Sequence, residues 1–307
     1  MHKVLKIFNP IFLEAIDNGF SMRTLPKFNS TENAIRNAFF KSYPQYHILK
    51  LFIRLQLNRH ISHLFFKFLY WIWFKIINRI QIIDVDKVRT LRTPFLVVQN
   101  HCSYNDAIMQ LAVFAHMGYY LHTFTMENSF TREAFECIFA HFIEMIPRYG
   151  TGESCVNRMV SRLIRGGNVS IFPAGTYPSG KYANTGFVQE AYTGAARAAY
   201  KYKVTTDQPL IIQPVCSLGA NSAYPPKKGD IKGKITSKIF IKFGEPFTLA
   251  YTQNPSNGEF REKSAEIQMK IASLWGQKKL IPNLGRQKIS SIHELNTTFR
   301  IYGKKKT

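Results

Sequence analysis

Residues 94–117 read PFLVVQNHCSYNDAIMQLAVFAHM, and this stretch decides the fold class of the 307-residue chain. The apolar run after Pro94 is typical of a buried strand, and the apolar residues between Asp106 and Met117 recur at helical spacing. A short polar turn, NHCSYN, separates the two. A strand that leads through a turn directly into a helix indicates an α/β fold.

The same alternation continues toward the carboxyl end of the chain. The sequence predicts a turn at MIPRYG (145–150) and strands at NVSIF (168–172), PLIIQPV (209–215) and 238–243. It predicts helices over residues 153–165, 191–202 and 261–279. We therefore expect an α/β domain with a mixed, mainly parallel sheet that is covered by helices on both faces.

The composition divides the chain into four predicted segments. Residues 1–45 are a turn-rich lead-in, and residues 46–83 form membrane-associating amphipathic helices. Residues 84–280 form the main domain, and residues 281–307 are a basic, solvated tail.

The segment 46–83 is strongly apolar and aromatic, but cations interrupt it throughout. No uncharged run reaches the roughly 18 residues of a membrane span, and the mixture of aromatic residues and spaced cations favours helices that lie in the headgroup region. A soluble two-helix hairpin packed on the domain and a short or tilted span remain alternatives. The interrupting cations are Lys50, Arg54, Arg59, Lys67, Lys75 and Arg79.

The net charge of +22 predicts an anionic partner. Residues 1–92 carry +10 (15 basic, 5 acidic) and residues 221–307 carry +11 (17 basic, 6 acidic), whereas residues 93–220 carry only +1 (9 basic, 8 acidic). A nucleic-acid enzyme would concentrate its cations around a central cleft. The charged flanks around a balanced centre instead favour an anionic phospholipid membrane as the partner, and no nucleic acid is expected.

The cysteines show neither a C-x-x-C pair nor zinc-type spacing with histidine, so we expect reduced thiols and no metal site. The amino-terminal residues show no signal peptide, because charged residues and Pro10 break their short apolar stretch. The four cysteines are Cys102, Cys137, Cys155 and Cys216.

A histidine and an aspartate flank the turn after the first strand. His101 and Asp106 are five residues apart, so within one helix they would point about 140° away from each other. If His101 precedes the helix and Asp106 begins it, the imidazole can fold back onto the carboxylate. Such a pair is a general base with its orienting acid. The plainer interpretations are a buried, hydrogen-bonded histidine and a helix-terminal charge.

The turn with His101 and Asp106 is the first of five short segments, and several such segments in a fixed order are far more specific than one spacing. Together they resemble the glycerolipid acyltransferase family of the 1-acylglycerol-3-phosphate acyltransferase (lysophospholipid acyltransferase) type over about residues 80 to 250. That family has an N-H-x-x-x-x-D block, a second block ending in arginine, an F-P-E-G-T-R block and a V-P-V strand. The matching segments are NHCSYND (100–106), IPRYG (146–150), IFPAGTYPSG (171–180), IIQPV (211–215) and FGEPF (243–247).

The resemblance implies an O-acyltransferase that moves a fatty acyl group from acyl-CoA or acyl carrier protein to the hydroxyl of a lysophospholipid. Residues 84–280 would be the acyltransferase domain, held at the cytoplasmic face of the membrane as a peripheral or monotopic protein. His101 would deprotonate the acceptor hydroxyl and Asp106 would orient it, with no cofactor besides the thioester co-substrate. Backbone N–H groups of the Gly175–Thr176 turn are candidates for stabilising the oxyanion. The residues implied in substrate binding are Arg148, Phe172, Pro173, Gly175, Thr176 and Glu127.

The sequence departs from the family pattern at positions that contact the acceptor. Ala174 replaces the usual glutamate, Tyr177 the usual arginine, and Thr125 the lysine that often precedes Glu127. An acceptor like 1-acylglycerol-3-phosphate is therefore one hypothesis, and a lyso-amino-lipid such as lyso-ornithine lipid is another. A non-catalytic lipid-binding protein and a nucleophilic role for Cys102 are the remaining alternatives.

Overall fold

The structure is a computed structural model that describes residues 58–92, 94–126, 143–146, 152–178, 182, 185–225 and 233–283. A seven-stranded sheet forms its centre. In chain order the strands are β1 (Gln81–Ile83), β2 (Phe95–Gln99), β3 (Leu121–Met126), β4 (Ile143–Ile146), β5 (Asn168–Ile171), β6 (Ile211–Leu218) and β7 (Phe240–Phe243).

The strands are arranged in the order β1-β7-β6-β2-β5-β3-β4. Five neighbouring strands run parallel to one another: β6, β2, β5, β3 and β4. β7 pairs with β6 in the antiparallel direction, and β1 pairs with β7 in the parallel direction. The central strand β2 is buried along its whole length, because neighbouring strands and helices cover it on every side. The prediction of a mixed, mainly parallel sheet is confirmed.

Helices cover both faces of this sheet. The helices are α1 (Asn58–Leu69), a π-helix (Tyr70–Ile77), α2 (Asp86–Arg89), α3 (Asp106–His116), α4 (Gly152–Ile164), α5 (Gly194–Thr206), α6 (Ala220–Ala223) and α7 (Asn257–Ser273). One apolar cluster packs α1, the π-helix and α3 against the sheet. A second cluster packs α4, α5 and α7 against the opposite face.

The amino-terminal helices belong partly to the core of the domain. Phe66, Tyr70 and Phe74 are buried, and the ring of Tyr70 stacks on the imidazole of His116 with the ring centroids 4.0 Å apart. Residues 81–83 were predicted to be part of the amphipathic helices, but they form β1 and pair with β7. That part of the prediction is wrong, because a short apolar tripeptide after a helix carries no period of its own.

The other side of these helices is apolar and exposed to solvent. We call this surface the exposed apolar face. Within the stretches that the structure describes, no helix is long and apolar enough to cross a bilayer. The large side chains of the exposed apolar face are Leu64, Phe65, Phe68, Trp71, Ile72, Trp73 and Ile76.

Two further strands were not predicted. β3 has the sequence LHTFTM, and β4 includes Met145 and Ile146 of the segment that was predicted to be a turn. The rest of that turn, residues 147–150, lies outside the described residues. So do the predicted lead-in 1–45, residues 46–57 of the predicted amphipathic helices and residues 284–307 of the predicted tail. The three predicted helices in the carboxyl half are present, with ends displaced by one to six residues.

Candidate active site

The loop after β2 is fixed to the neighbouring strand by Asn100. Its Oδ1 accepts the backbone N–H of Ser217 at 2.7 Å, and its Nδ2 donates to the carbonyl oxygens of Ser217 at 2.9 Å and Gly186 at 3.3 Å. Asn100 is buried, so these bonds satisfy its amide and hold the end of β2 to the end of β6. The next residue, His101, therefore leaves the sheet from a fixed point.

His101 and Asp106 are in contact, as the sequence predicts. The distance between His101 Nδ1 and Asp106 Oδ2 is 2.8 Å; the imidazole side chain is 17% exposed and the carboxylate fully buried. The same carboxylate oxygen accepts the backbone N–H groups of Cys102 at 2.6 Å and Ser103 at 2.8 Å. A carboxylate can only accept, so Nδ1 carries the hydrogen and the lone pair lies on Nε2.

Buried polar side chains fix the helix that carries Asp106. Gln110, one turn further along α3, donates through Nε2 to Oε1 of Gln99 at 2.9 Å. Its own Oε1 accepts a hydrogen bond from the hydroxyl of Ser170 on β5. These bonds join α3 to two adjacent strands inside the core, so the carboxylate is held by a rigid element.

Aromatic rings surround the imidazole of His101. The ring of Phe172 stacks on it with centroids 4.5 Å apart, and the ring of Tyr177 lies 4.1 Å away. Tyr104, which is 52% exposed, packs edge-on against Tyr177 at 5.6 Å. Burial raises the pKa of Tyr177, and the charge of Asp106 adds to the effect. The Tyr177 side chain is therefore neutral at physiological pH.

The turn between Phe172 and Tyr177 depends on glycine. Gly175 has φ of +67°, and a Cβ atom there would lie 3.2 Å from the ring of Tyr192, so a larger residue would be strained and crowded. The N–H of Gly175 donates to the carbonyl of Phe172 at 2.9 Å. This donor is engaged within the turn, which leaves the N–H of Thr176 as the candidate for binding an oxyanion.

The remaining residues of the turn contact the scaffold. The carbonyl of Pro173 accepts the N–H of Tyr192 at 3.0 Å, and the hydroxyl of Thr176 donates to Asn283 Oδ1 at 3.4 Å. Asn283 Nδ2 in turn donates to the carbonyl of Ala174 at 3.0 Å. Pro173, Gly175 and Thr176 thus shape the turn that places Phe172 and Tyr177 on the imidazole. Their predicted roles in substrate binding stay predictions.

Two predicted substrate-binding residues, Glu127 and Arg148, lie outside the described residues. The contact between Tyr177 and His101 was missed, because the sequence shows only that an arginine of the family pattern is absent.

Cys102 does not have the properties of a nucleophile. It is buried next to the catalytic candidates, and burial raises the pKa of its thiol well above the usual value. The neutral thiol is the unreactive form. Within the described part of the chain, Cys102 and Cys216 are free thiols.

Comparison with known proteins identifies the domain that carries this site. Residues 79–217 match the family model described as Acyltransferase, and this region belongs to that family. The match includes His101, Asp106 and the turn at 172–177. The resemblance to the glycerolipid acyltransferase family that the sequence blocks indicate is thereby confirmed.

A solved structure shares the fold. The crystal structure of the 1-acyl-sn-glycerophosphate (LPA) acyltransferase PlsC from Thermotoga maritima superposes with a TM-score of 0.52 and 16% sequence identity, over 89% of this chain and 99% of that one. At this identity the match shows a common fold. The search of curated proteins gave no match.

Proposed function

We propose that this chain is an O-acyltransferase that moves a fatty acyl group from acyl-CoA or acyl carrier protein to the hydroxyl of a lysophospholipid. The observation that carries the proposal is the imidazole of His101, held by the buried carboxylate of Asp106 at 2.8 Å, in a domain of the acyltransferase family. The first acceptor candidate is a lipid like 1-acylglycerol-3-phosphate, which places the enzyme in phospholipid biosynthesis or remodelling.

The residues of the site suffice for direct acyl transfer. Nε2 of His101 takes the proton of the acceptor hydroxyl as its oxygen attacks the thioester carbonyl. The charge of Asp106 stabilises the imidazolium that forms, and the N–H of Thr176 is the candidate donor to the oxyanion. When the intermediate collapses, the C–S bond breaks and the imidazolium returns the proton to the leaving thiolate. No step requires a metal or a prosthetic group.

An apolar surface pocket next to the loop of His101 can accommodate a hydrocarbon chain. It has a volume of about 350 Å³, and its lining includes Gly186, Val188, Leu218, Ala272 and Trp275. The carbonyl of Gly186 accepts a hydrogen bond from Asn100, and Asn100 directly precedes His101 in the chain. This position supports the pocket as the site of an acyl chain.

A panel of substrates tests the proposal. Purified protein is incubated with acyl-CoA or acyl carrier protein and with lysophospholipids that differ in head group, and release of the thiol and formation of lipid product are measured. We expect a diacyl product from at least one lysophospholipid. Binding of lipids without turnover on any acceptor would indicate the non-catalytic alternative.

Tyr177 favours a second candidate acceptor, a lyso-amino-lipid such as lyso-ornithine lipid. The neutral ring of Tyr177 lies on His101 at the position of the family's arginine, so this position offers no cation to a phosphate monoester. The same chemistry serves either class of acceptor, and the panel above separates them.

The exchange Tyr177→Arg tests this role of the position. We expect it to raise kcat/KM for 1-acylglycerol-3-phosphate about 10- to 100-fold relative to acceptors without a phosphate monoester, since a charged hydrogen bond contributes about 1.5–3 kcal/mol. Tyr177→Phe is the matched control, because it keeps the ring beside His101 and adds no charge. An unchanged preference in Tyr177→Arg would show that this position does not select the acceptor.

We further propose that the protein acts at the cytoplasmic face of a membrane, as a peripheral or monotopic protein. The exposed apolar face supports this location, because it gathers seven large apolar side chains on one surface. Ordinary soluble proteins expose such side chains singly. Helices with aromatic residues and flanking cations bind to the headgroup region in this way.

The double variant Trp71→Ser/Ile76→Ser tests the location. Trp71 is 52% and Ile76 68% exposed, so their replacement removes little of the packing of the core. We expect about 30-fold weaker binding to phospholipid vesicles, from about 2 kcal/mol of lost apolar burial. Val204→Ser on α5, which is 65% exposed, is the control and should bind like the wild type. Equal binding by the double variant would contradict the assignment.

A further inference from the structure

A cationic pocket lies next to the exposed apolar face. It has a volume of about 310 Å³ and is lined by Lys75, Arg79, Ile80, Gln81 and Lys238. Among the described residues, no carboxylate forms an ion pair with any of the three cations. Several cations without a counter-charge in one concave surface produce a local positive potential that attracts an anion.

Arg79 lies in the wall of this pocket, at the turn that ends the π-helix. Arg79 has φ of +49°, a conformation that glycine adopts freely and that other residues rarely do. The preceding residue, Asn78, is buried; it donates to the carbonyl of Ile235 and accepts the hydroxyl of Tyr224 at 2.7 Å. These bonds fix the turn and join it to the segment that carries Lys238. The turn therefore sets Arg79 in the same concave surface as Lys238.

The pocket and His101 lie at the same end of the sheet, where the parallel strands β2 and β6 have their carboxyl ends. Because β7 is antiparallel to β6, Phe240 at the start of β7 pairs with Leu218 at the end of β6, and Gln81 at the start of β1 pairs with Phe240. His101 follows the end of β2, which is the neighbour of β6. Three strand spacings of about 4.8 Å separate β1 from β2, or about 14 Å.

We propose that this pocket binds the phosphate of an anionic membrane phospholipid. The inference rests on the proposed membrane location and makes it specific. Lys75 follows Trp71 by about one turn of the π-helix, so apolar side chains can enter the bilayer while the cations meet the phosphates above it. A lipid phosphate fits better than the phosphates of CoA, because a soluble nucleotide would leave the adjacent apolar face in water.

A lipid phosphate bound in the pocket orients the enzyme on the membrane. The end of the sheet that carries His101 then faces the membrane surface, where a lysolipid acceptor resides. The pocket is a second lipid contact, separate from the reacting lipid.

Vesicle co-sedimentation with charge variants tests the inference. Wild type and Arg79→Gln/Lys238→Gln are compared on phosphatidylcholine vesicles with and without phosphatidylglycerol, and Lys203→Gln/Arg261→Gln is a control with the same change in net charge. We expect the pocket variant to bind anionic vesicles about 25-fold more weakly than wild type, since each cation near the surface contributes about fivefold. The control should lose much less, and binding to neutral vesicles should not change.

A second variant separates binding from folding. Arg79→Gly removes the cation and relieves the left-handed strain, so its melting temperature should not fall while its preference for anionic vesicles does. Equal losses in the pocket and control variants would overturn the inference and leave the membrane location standing. Wild-type protein that binds neither vesicle would overturn both. Loss of CoA binding in the pocket variant, measured without vesicles and with vesicle binding unchanged, would assign the pocket to the donor instead.

Discussion

Replacement of His101 by alanine should lower kcat for acyl transfer about 10³-fold, within the 10²–10⁴-fold contribution of a positioned general base. The carboxylate of Asp106 is fully buried, and its Oδ2 already accepts the imidazole and two backbone N–H groups, so it cannot replace Nε2 as the base. The ring lies at the rim of the core, with 17% of its surface exposed, and the protein should therefore remain folded. Release of the donor thiol, followed at saturating acceptor, measures kcat.

The control for this experiment is a histidine outside the pair. His116, at the end of α3, stacks on Tyr70 and has no contact with the reacting groups in the proposed mechanism. His116→Ala should keep most of the activity even if its stability falls. Wild-type rates in His101→Ala would rule out the imidazole as the base.

The exchange Asp106→Asn should lower both activity and stability. The amide keeps the shape of the side chain but removes the charge that stabilises the imidazolium, and we expect kcat to fall by roughly 10²–10³-fold. The buried carboxylate also accepts the N–H groups of Cys102 and Ser103, so the free energy of unfolding should fall by about 2 kcal/mol. Steady-state kinetics and denaturant titration measure the two effects separately.

An exposed aspartate provides the matched control. Asp86→Asn changes the same functional group in α2, where the side chain forms a surface pair with Arg89, and such pairs contribute little. Both of its parameters should stay close to wild type. A fully folded Asp106→Asn protein with wild-type kcat would show that the carboxylate has no catalytic role.

The centre of the fold could be predicted because its signals are local. The apolar run of β2 and the helical spacing of α3 are adjacent in sequence, and the short turn between them allows His101 to fold back onto Asp106. β3 could not be found in this way, because Thr123 is polar yet buried, where its hydroxyl donates to Oε1 of Gln110 at 3.5 Å. Hydropathy shows the polarity of such residues but not the hydrogen bonds that compensate it.

The environment of the imidazole is a tertiary property. Phe172 and Tyr177 reach His101 from a turn some 70 residues later in the chain, and no spacing rule connects them. The amino-terminal segment shows a similar limit. The sequence left a packed hairpin and interfacial helices as alternatives, and the structure combines a face packed on the domain with an exposed apolar face.

The most direct test of the account is the stoichiometry of the reaction in a purified system. Wild-type protein with an acyl-CoA of defined chain and its preferred lysophospholipid should release one CoA for each diacyl lipid formed, as mass spectrometry of both products can show. Thioester consumption without a lipid product, or lipid product that forms equally well with His101→Ala, would contradict direct transfer driven by this imidazole.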